Sequence, residues 1–102
     1  MGDNMSETKV VNIKTEYYDV YIGRKMGFKL EHSGYYGNPY TLGDYSRKES
    51  IFLYRIYFNY RIKTDIVFRN RILKLKGKRL GCFCKPEKCH GDIIKEYLEG
   101  LP

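Results

Sequence analysis

A chain of 102 residues with 42% hydrophobic, 16% aromatic and 30% charged content is too apolar for disorder and too evenly charged for a membrane span. The start MGDNMSETK has no apolar segment of a secretory leader, so a cytoplasmic location without a membrane partner is expected, in a host cytoplasm if the source is a virus. A net charge of +7 and a pI of 9.3 point towards acidic partners, nucleotides or nucleic acid among them, although net charge by itself also serves solubility.

Residues 1–9 are polar and read as a disordered N-terminus, and residues 10–102 as a single α/β domain. Val10-Val11-Asn12-Ile13 and Val20-Tyr21-Ile22 are short β-branched and aromatic runs that read as strands, the second ended by Gly23. From Lys25 to Asp44 four glycines and the Gly37-Asn38-Pro39-Tyr40 turn signal predict a long loop. Its aromatic content argues for a functional loop rather than a disordered one.

Ser46 followed by Glu49 forms a capping box, and the apolar run after it predicts a helix to about Tyr60. Phe52, Tyr54 and Phe58 within it are read as core residues rather than stacking platforms. Asp65 is positioned to cap a second helix, in which Ile66, Phe68 or Arg69, Ile72, Leu73 and Leu75 recur at helical spacing until Gly77. Lys78 to Phe83 reads as a third strand, and Asp92 to Leu98 as a last helix closed by Gly100 in the left-handed region. These elements give a short three-stranded sheet packed by three helices, with a Rossmann-like corner at the last strand-to-helix turn.

That corner is GCFCKPEKCHGD, residues 81–92, which holds all three cysteines of the chain. In α/β proteins ligands bind beyond the carboxyl ends of strands, where the next helix presents unpaired N–H groups. Zinc on Cys82, Cys84, Cys89 and His90 has the right donor types, but C-x-C followed by an adjacent Cys-His rarely converges on a tetrahedron. Cys89, near a helix start and beside Lys85, Lys88 and His90, is a candidate catalytic thiol, and His90 a candidate acid or base. Alternatively Cys89 is a small buried hydrophobe and His90 a hydrogen-bonded residue that holds the turn. An odd cysteine count argues against a disulfide framework, leaving a single Cys84–Cys89 bridge as the remaining option. A third possibility is an anion site made of His90, the Gly91 N–H and the helix terminus, with Asp92 as the N-cap. No cofactor is called for.

Three motifs carry a family resemblance: Tyr21-Ile22-Gly23-Arg24, Gly37-Asn38-Pro39-Tyr40, and the run from Leu75 to Cys84 continuing to Pro86 and Cys89-His90-Gly91-Asp92. In this order they resemble the signatures of the family called domain of unknown function 4326, found in phages, archaeal viruses and prokaryotes. Tyr36 and Phe83 stand where that family often has tryptophan, which keeps a flat apolar face. The Cys-His ending is also similar, more loosely, to domain of unknown function 488, which implies a Rossmann-like fold and a nucleotide ligand. The absence of Ala and Gln, with abundant Tyr, Ile, Lys and Arg, resembles the composition of viruses of hyperthermophilic archaea.

The resemblance implies one pocket formed by Arg24, Asn38, Cys89, His90, Gly91 and Asp92, with Tyr21, Tyr36 and Tyr40 as walls. Arg24 would bind an anion in bidentate fashion and Asn38 would contact a base or ribose, unless Asn38 is a pure turn residue. The leading expectation is therefore a binder of a nucleotide or nucleotide-derived anion. Two rivals come from other classes. One is a nucleic-acid-binding module with Arg55, Arg61, Lys63, Arg69, Arg71 and Lys78 central to a phosphate footprint that extends to Arg47, Lys48, Lys74, Lys76 and Arg79. The other is a protein-interaction adaptor presenting the tyrosine-rich stretch from Tyr35 to Tyr45.

Overall fold

The computed structural model describes residues 7–24 and 34–101. The strands are β1 (Lys9–Asn12), β2 (Val20–Tyr21) and β3 (Arg79–Cys82), and the helices α1 (Arg47–Thr64), α2 (Ile66–Leu73) and α3 (Gly91–Glu99). The expected α/β class holds, with every strand within a residue or two of its predicted span. The sheet is parallel throughout in the order β1-β3-β2, so the first two strands flank the third and do not pair with each other.

That order requires the chain to leave the end of β1, cross β3 and re-enter in the same direction at β2, using only residues 13–19. Such a crossover normally needs a helix. Gly81 makes the short route possible. A Cβ there would lie 2.5 Å from Ile13 Cγ2 and 2.8 Å from Tyr18 Cγ, so a bare backbone on β3 lets the connection lie directly on the sheet. Leu80 and Cys82, pointing the other way by strand alternation, enter the core beneath the helices.

Local sequence explains the helix ends. The Ser46–Glu49 capping box is formed in both directions, the Glu49 N–H donating to Ser46 Oγ at 3.1 Å and the Ser46 N–H to Glu49 Oε1 at 3.0 Å. Asp65 closes α1 through its N–H to the Arg61 carbonyl, and opens α2 by accepting from the Phe68 N–H at 3.0 Å. Gly77 then takes φ 82°, a conformation that favours glycine, before β3.

The core joins Ile22, Leu80 and Cys82 from the sheet region to Tyr54, Phe58, Phe68, Ile72, Ile93, Ile94 and Leu98 from the helices. Four expectations need correction. Phe52 is 62% exposed while Tyr54 and Phe58 are fully buried, because α1 turns Ser50, Tyr54 and Phe58 inward and Phe52, Ile56 and Tyr60 outward. Thr8 is not part of a frayed terminus: it is fully buried, its N–H donating to Glu99 Oε2 and its Oγ1 accepting from the Gly77 N–H. Gly100 ends α3 at φ −86°, in the right-handed region. Helix α3 begins at Gly91, with His90 at the N-cap and no side-chain cap, so Asp92 lies inside the first turn. Residues 25–33 of the predicted loop lie outside the described residues.

Candidate functional site

The β3–α3 connection, the Gly23-Arg24 end of β2, the Asn38 turn and the first turn of α1 surround one cleft of about 270 Å³. It lies beyond the carboxyl ends of the strands, where α/β folds collect their ligand sites. Tyr21, Leu42, Ile51 and Phe83 supply apolar walls, and Cys82, Cys84, Cys89 and His90 also line it. Arg24, Arg47 and Lys88 bring three cationic side chains to the lining, which among the described residues includes no Asp or Glu.

His90 is almost fully buried, and its Nε2 lies 2.7 Å from the Ile22 carbonyl. A carbonyl only accepts, so Nε2 carries the proton and Nδ1 keeps the lone pair. The ring stands edge-on to Tyr54 with centroids 5.0 Å apart. Burial pulls the imidazole below the ordinary histidine range against the opposing effect of the Ile22 carbonyl, which keeps the ring neutral at neutral pH.

Cys82 and Cys89 form a buried sulfur pair with 3.3 Å between Sγ atoms. The S–H···S contact with Cys89 favours ionisation of Cys82 and outweighs its burial; backbone N–H groups of Cys84 and Lys85 and the Lys85 charge act in the same sense. The same contact, followed by burial, pushes Cys89 well above the ordinary thiol range. Within this pair the contact favours the thiolate on Cys82 over Cys89, the cysteine that sequence singled out. The one bridge left open by sequence, Cys84–Cys89, is likewise replaced by Cys82 and Cys89 as the sulfur pair, all three cysteines being free thiols.

The four-ligand zinc arrangement does not assemble. Among the described residues no three His, Cys, Asp or Glu side chains converge as metal donors, and His90 Nε2 is committed to Ile22.

Asn38 reaches the cleft with its side chain already engaged. Its Nδ2 donates to Ser50 Oγ at 2.8 Å, and its Oδ1 accepts from the Tyr40 N–H at 2.9 Å. This is the turn-residue reading, with the added role of tying the turn to α1. Asp92 accepts from the Cys89 N–H and pairs with Lys85 at 2.7 Å, so it braces the connection from outside the cleft lining. Burial pulls Lys85 down, but the hydrogen bond and charge of Asp92, together with the Cys89 and Cys82 sulfurs, hold it above its usual range. Gly91 has no room for a side chain, since a Cβ would lie 2.7 Å from Ile22 Cδ1, and it supports the wall without lining it. Tyr21 is a wall as expected, its hydroxyl donating to the Arg24 carbonyl at 2.6 Å. Tyr36 and Tyr40 are not: Tyr36 packs on Tyr35, and Tyr40 on Tyr45 and Tyr57.

Sequence reasoning missed Arg47 and Lys88 as partners in one site. Arg47 is the first residue of α1 and its Nη1 donates to the Lys88 carbonyl at 2.9 Å, a contact between segments 41 residues apart with no local signal. The phosphate footprint is dispersed. Arg55 pairs with Glu96 and Arg61 with Asp65, Arg71 lies over Tyr35, and Lys63, Arg69 and Lys78 sit on α1, α2 and the turn before β3.

The fold and cleft define a small parallel α/β domain with a cationic cleft at the strand ends. The chain belongs to the family described as Domain of unknown function (DUF4326), whose profile matches residues 5–100. It is 36% identical over 93 residues to an uncharacterised 12.4 kDa protein of Enterobacteria phage T4 from the nrdA-td intergenic region, a match covering 91% of this chain and 79% of the phage protein. No solved structure matches significantly. No helix among the described residues is long and apolar enough to cross a membrane.

Proposed function

We propose that the cleft binds a nucleotide or a nucleotide-derived anion. The observation that carries this reading is the composition of the lining: Arg24, Arg47 and Lys88, with no carboxylate among the described residues, beside the apolar faces of Tyr21, Leu42, Ile51 and Phe83. Cations concentrate an anion, and flat apolar walls accommodate a base. The first turn of α1 contributes Arg47, Ser50 and Ile51, so the positive end of its dipole adds to the field. A cleft of about 270 Å³ lies near the small end of ligand pockets, about 300–1,000 Å³, and suits a mononucleotide or smaller anion. Asn38 is a scaffold in this reading, and the polar contacts to a base come from backbone groups and His90.

The basic nucleic-acid module has weaker support, because Arg55 and Arg61 are engaged by acids of the same chain. One observation favours the adaptor as a second reading: Phe52, Ile56 and Tyr60 stand exposed at four-residue spacing on one face of α1. The tyrosines first expected to serve that role pack among themselves and on α1 and α2. Viral provenance draws support from the phage relative, while a hyperthermophilic archaeal host rests on composition.

The test is thermal unfolding of the full chain with inorganic phosphate and with nucleoside mono- and diphosphates. Ligand at about one hundred times its Kd stabilises by about 2.7 kcal/mol, a shift of several degrees for a domain of this size. The shift is expected in wild type and reduced at least tenfold in apparent affinity in Arg24→Ala and Lys88→Ala. No shift at millimolar nucleotide, or an unchanged shift in both variants, overturns the reading.

A further inference from the structure

We propose that Cys82 and Cys89 are an oxidation site that small hydroperoxides convert to an intramolecular disulfide at the floor of the cleft. The two sulfurs come from different elements, Cys82 from the last position of β3 and Cys89 from the residue before the α3 N-cap. They meet at 3.3 Å. A disulfide bond is about 2.05 Å long, so closure requires the sulfurs to approach by little more than an ångström.

Both residues line the cleft, yet Cys82 is 1% exposed and Cys89 3%. This combination restricts the oxidant. A peroxide the size of one or two waters enters from the cleft, whereas a bulky disulfide such as oxidised glutathione has no approach to the Cys82 sulfur. The loop between the two cysteines also supplies what a reactive thiol needs: the N–H groups of Cys84 and Lys85 turn towards the Cys82 sulfur, and the Lys85 ammonium is close by. The Gly91 N–H favours ionisation of Cys89, but the Cys82 contact and burial outweigh it, so Cys89 keeps its proton and acts as the resolving thiol.

The steps balance. The Cys82 thiolate attacks one peroxide oxygen, an S–O bond forms, the O–O bond breaks, and the departing hydroxide is protonated to water. The Cys89 sulfur then attacks the Cys82 sulfur, an S–S bond forms, the S–O bond breaks, and the leaving hydroxide takes the Cys89 proton as a second water. Two thiols lose two electrons in total, and one peroxide gains them. Cys84 remains reduced, because the sulfur-to-sulfur contact joins Cys82 and Cys89.

The experiment treats the full chain, purified under reducing conditions and without nucleotide, with hydrogen peroxide, then denatures it and alkylates the remaining thiols. Of the three thiols, wild type is expected to retain one, on Cys84, and an unreduced peptide map to show Cys82 joined to Cys89. Dithiothreitol should restore all three. Cys84→Ser should form the same bridge, and Cys89→Ser should stop at a Cys82 sulfenic acid that dimedone captures. Three alkylated thiols after treatment, a bridge that includes Cys84, or irreversible sulfinic acid without a bridge would each overturn the proposal. The wild-type map decides the matter even if Cys89→Ser fails to fold. No ligand enters the assay, so its outcome is separate from that of the nucleotide reading.

Discussion

The His90 Nε2–Ile22 carbonyl bond, 2.7 Å long, links the start of α3 to the residue that follows β2 and so closes the wall of the cleft. The two residues are 68 positions apart, and both are buried. Its presence has a consequence for pH. Burial lowers the folded-state pKa of His90 below the unfolded value of about 6.5. Above that value the ring is neutral in both states and no stability is lost. As pH falls through about 6.5 the unfolded chain takes up the proton first, so stability declines until the folded-state pKa is reached.

Urea denaturation at pH 7 and pH 5 should therefore show wild type losing stability, with a smaller loss in His90→Gln. Capped and paired carboxylates such as Glu49 and Asp65 are held below their usual range and lose their contribution only in more acidic solution. At pH 7 the substitution itself should cost about 1–3 kcal/mol, because it disturbs a buried hydrogen bond to the Ile22 carbonyl. Equal pH slopes in the two proteins would contradict the assignment.

The two faces of α1 should respond very unequally to truncation. Phe58 packs against Tyr54, Phe68 and Tyr97. Truncation to alanine should cost about 3–5 kcal/mol. Phe52→Ser, on the exposed face, should change stability by no more than about 0.5 kcal/mol. Chemical unfolding midpoints of the two variants make the comparison directly.

Gly81→Ala tests how the chain crosses the sheet. The added methyl meets Ile13 Cγ2 and the Tyr18 ring, so a destabilisation of about 1–3 kcal/mol is expected. Combining it with Ile13→Ala removes the nearest obstacle. The double variant should therefore be less destabilised than the sum of its parts, measured as a coupling energy in a double-mutant cycle. Strict additivity would mean that the connection does not rest on Gly81.

Sequence by itself determined the elements and the capped starts of α1 and α2, because these depend on neighbours a few residues apart. Ser46 with Glu49 and Asp65 before α2 are local hydrogen-bonding preferences and cap their helices where they were read, whereas α1 runs past Tyr60 to Thr64 and α2 stops at Leu73, short of the Gly77 expected to end it. Arg24, Asn38, Cys89 and His90 were legible as cleft residues through their motifs.

Tertiary structure decided which side chains were still available for chemistry. Asn38 is occupied by Ser50 and Tyr40, and His90 Nε2 by Ile22, while Arg47 and Lys88 arrive from segments that share no local pattern. It also chose Cys82 over Cys84 as the partner of Cys89, since strand alternation allows either spacing and only the docking of α3 on β3 fixes which sulfur is met. The strand order has the same origin. Two similar short strands carry no mark of which neighbour they pair with until Gly81 opens a path across the sheet between them.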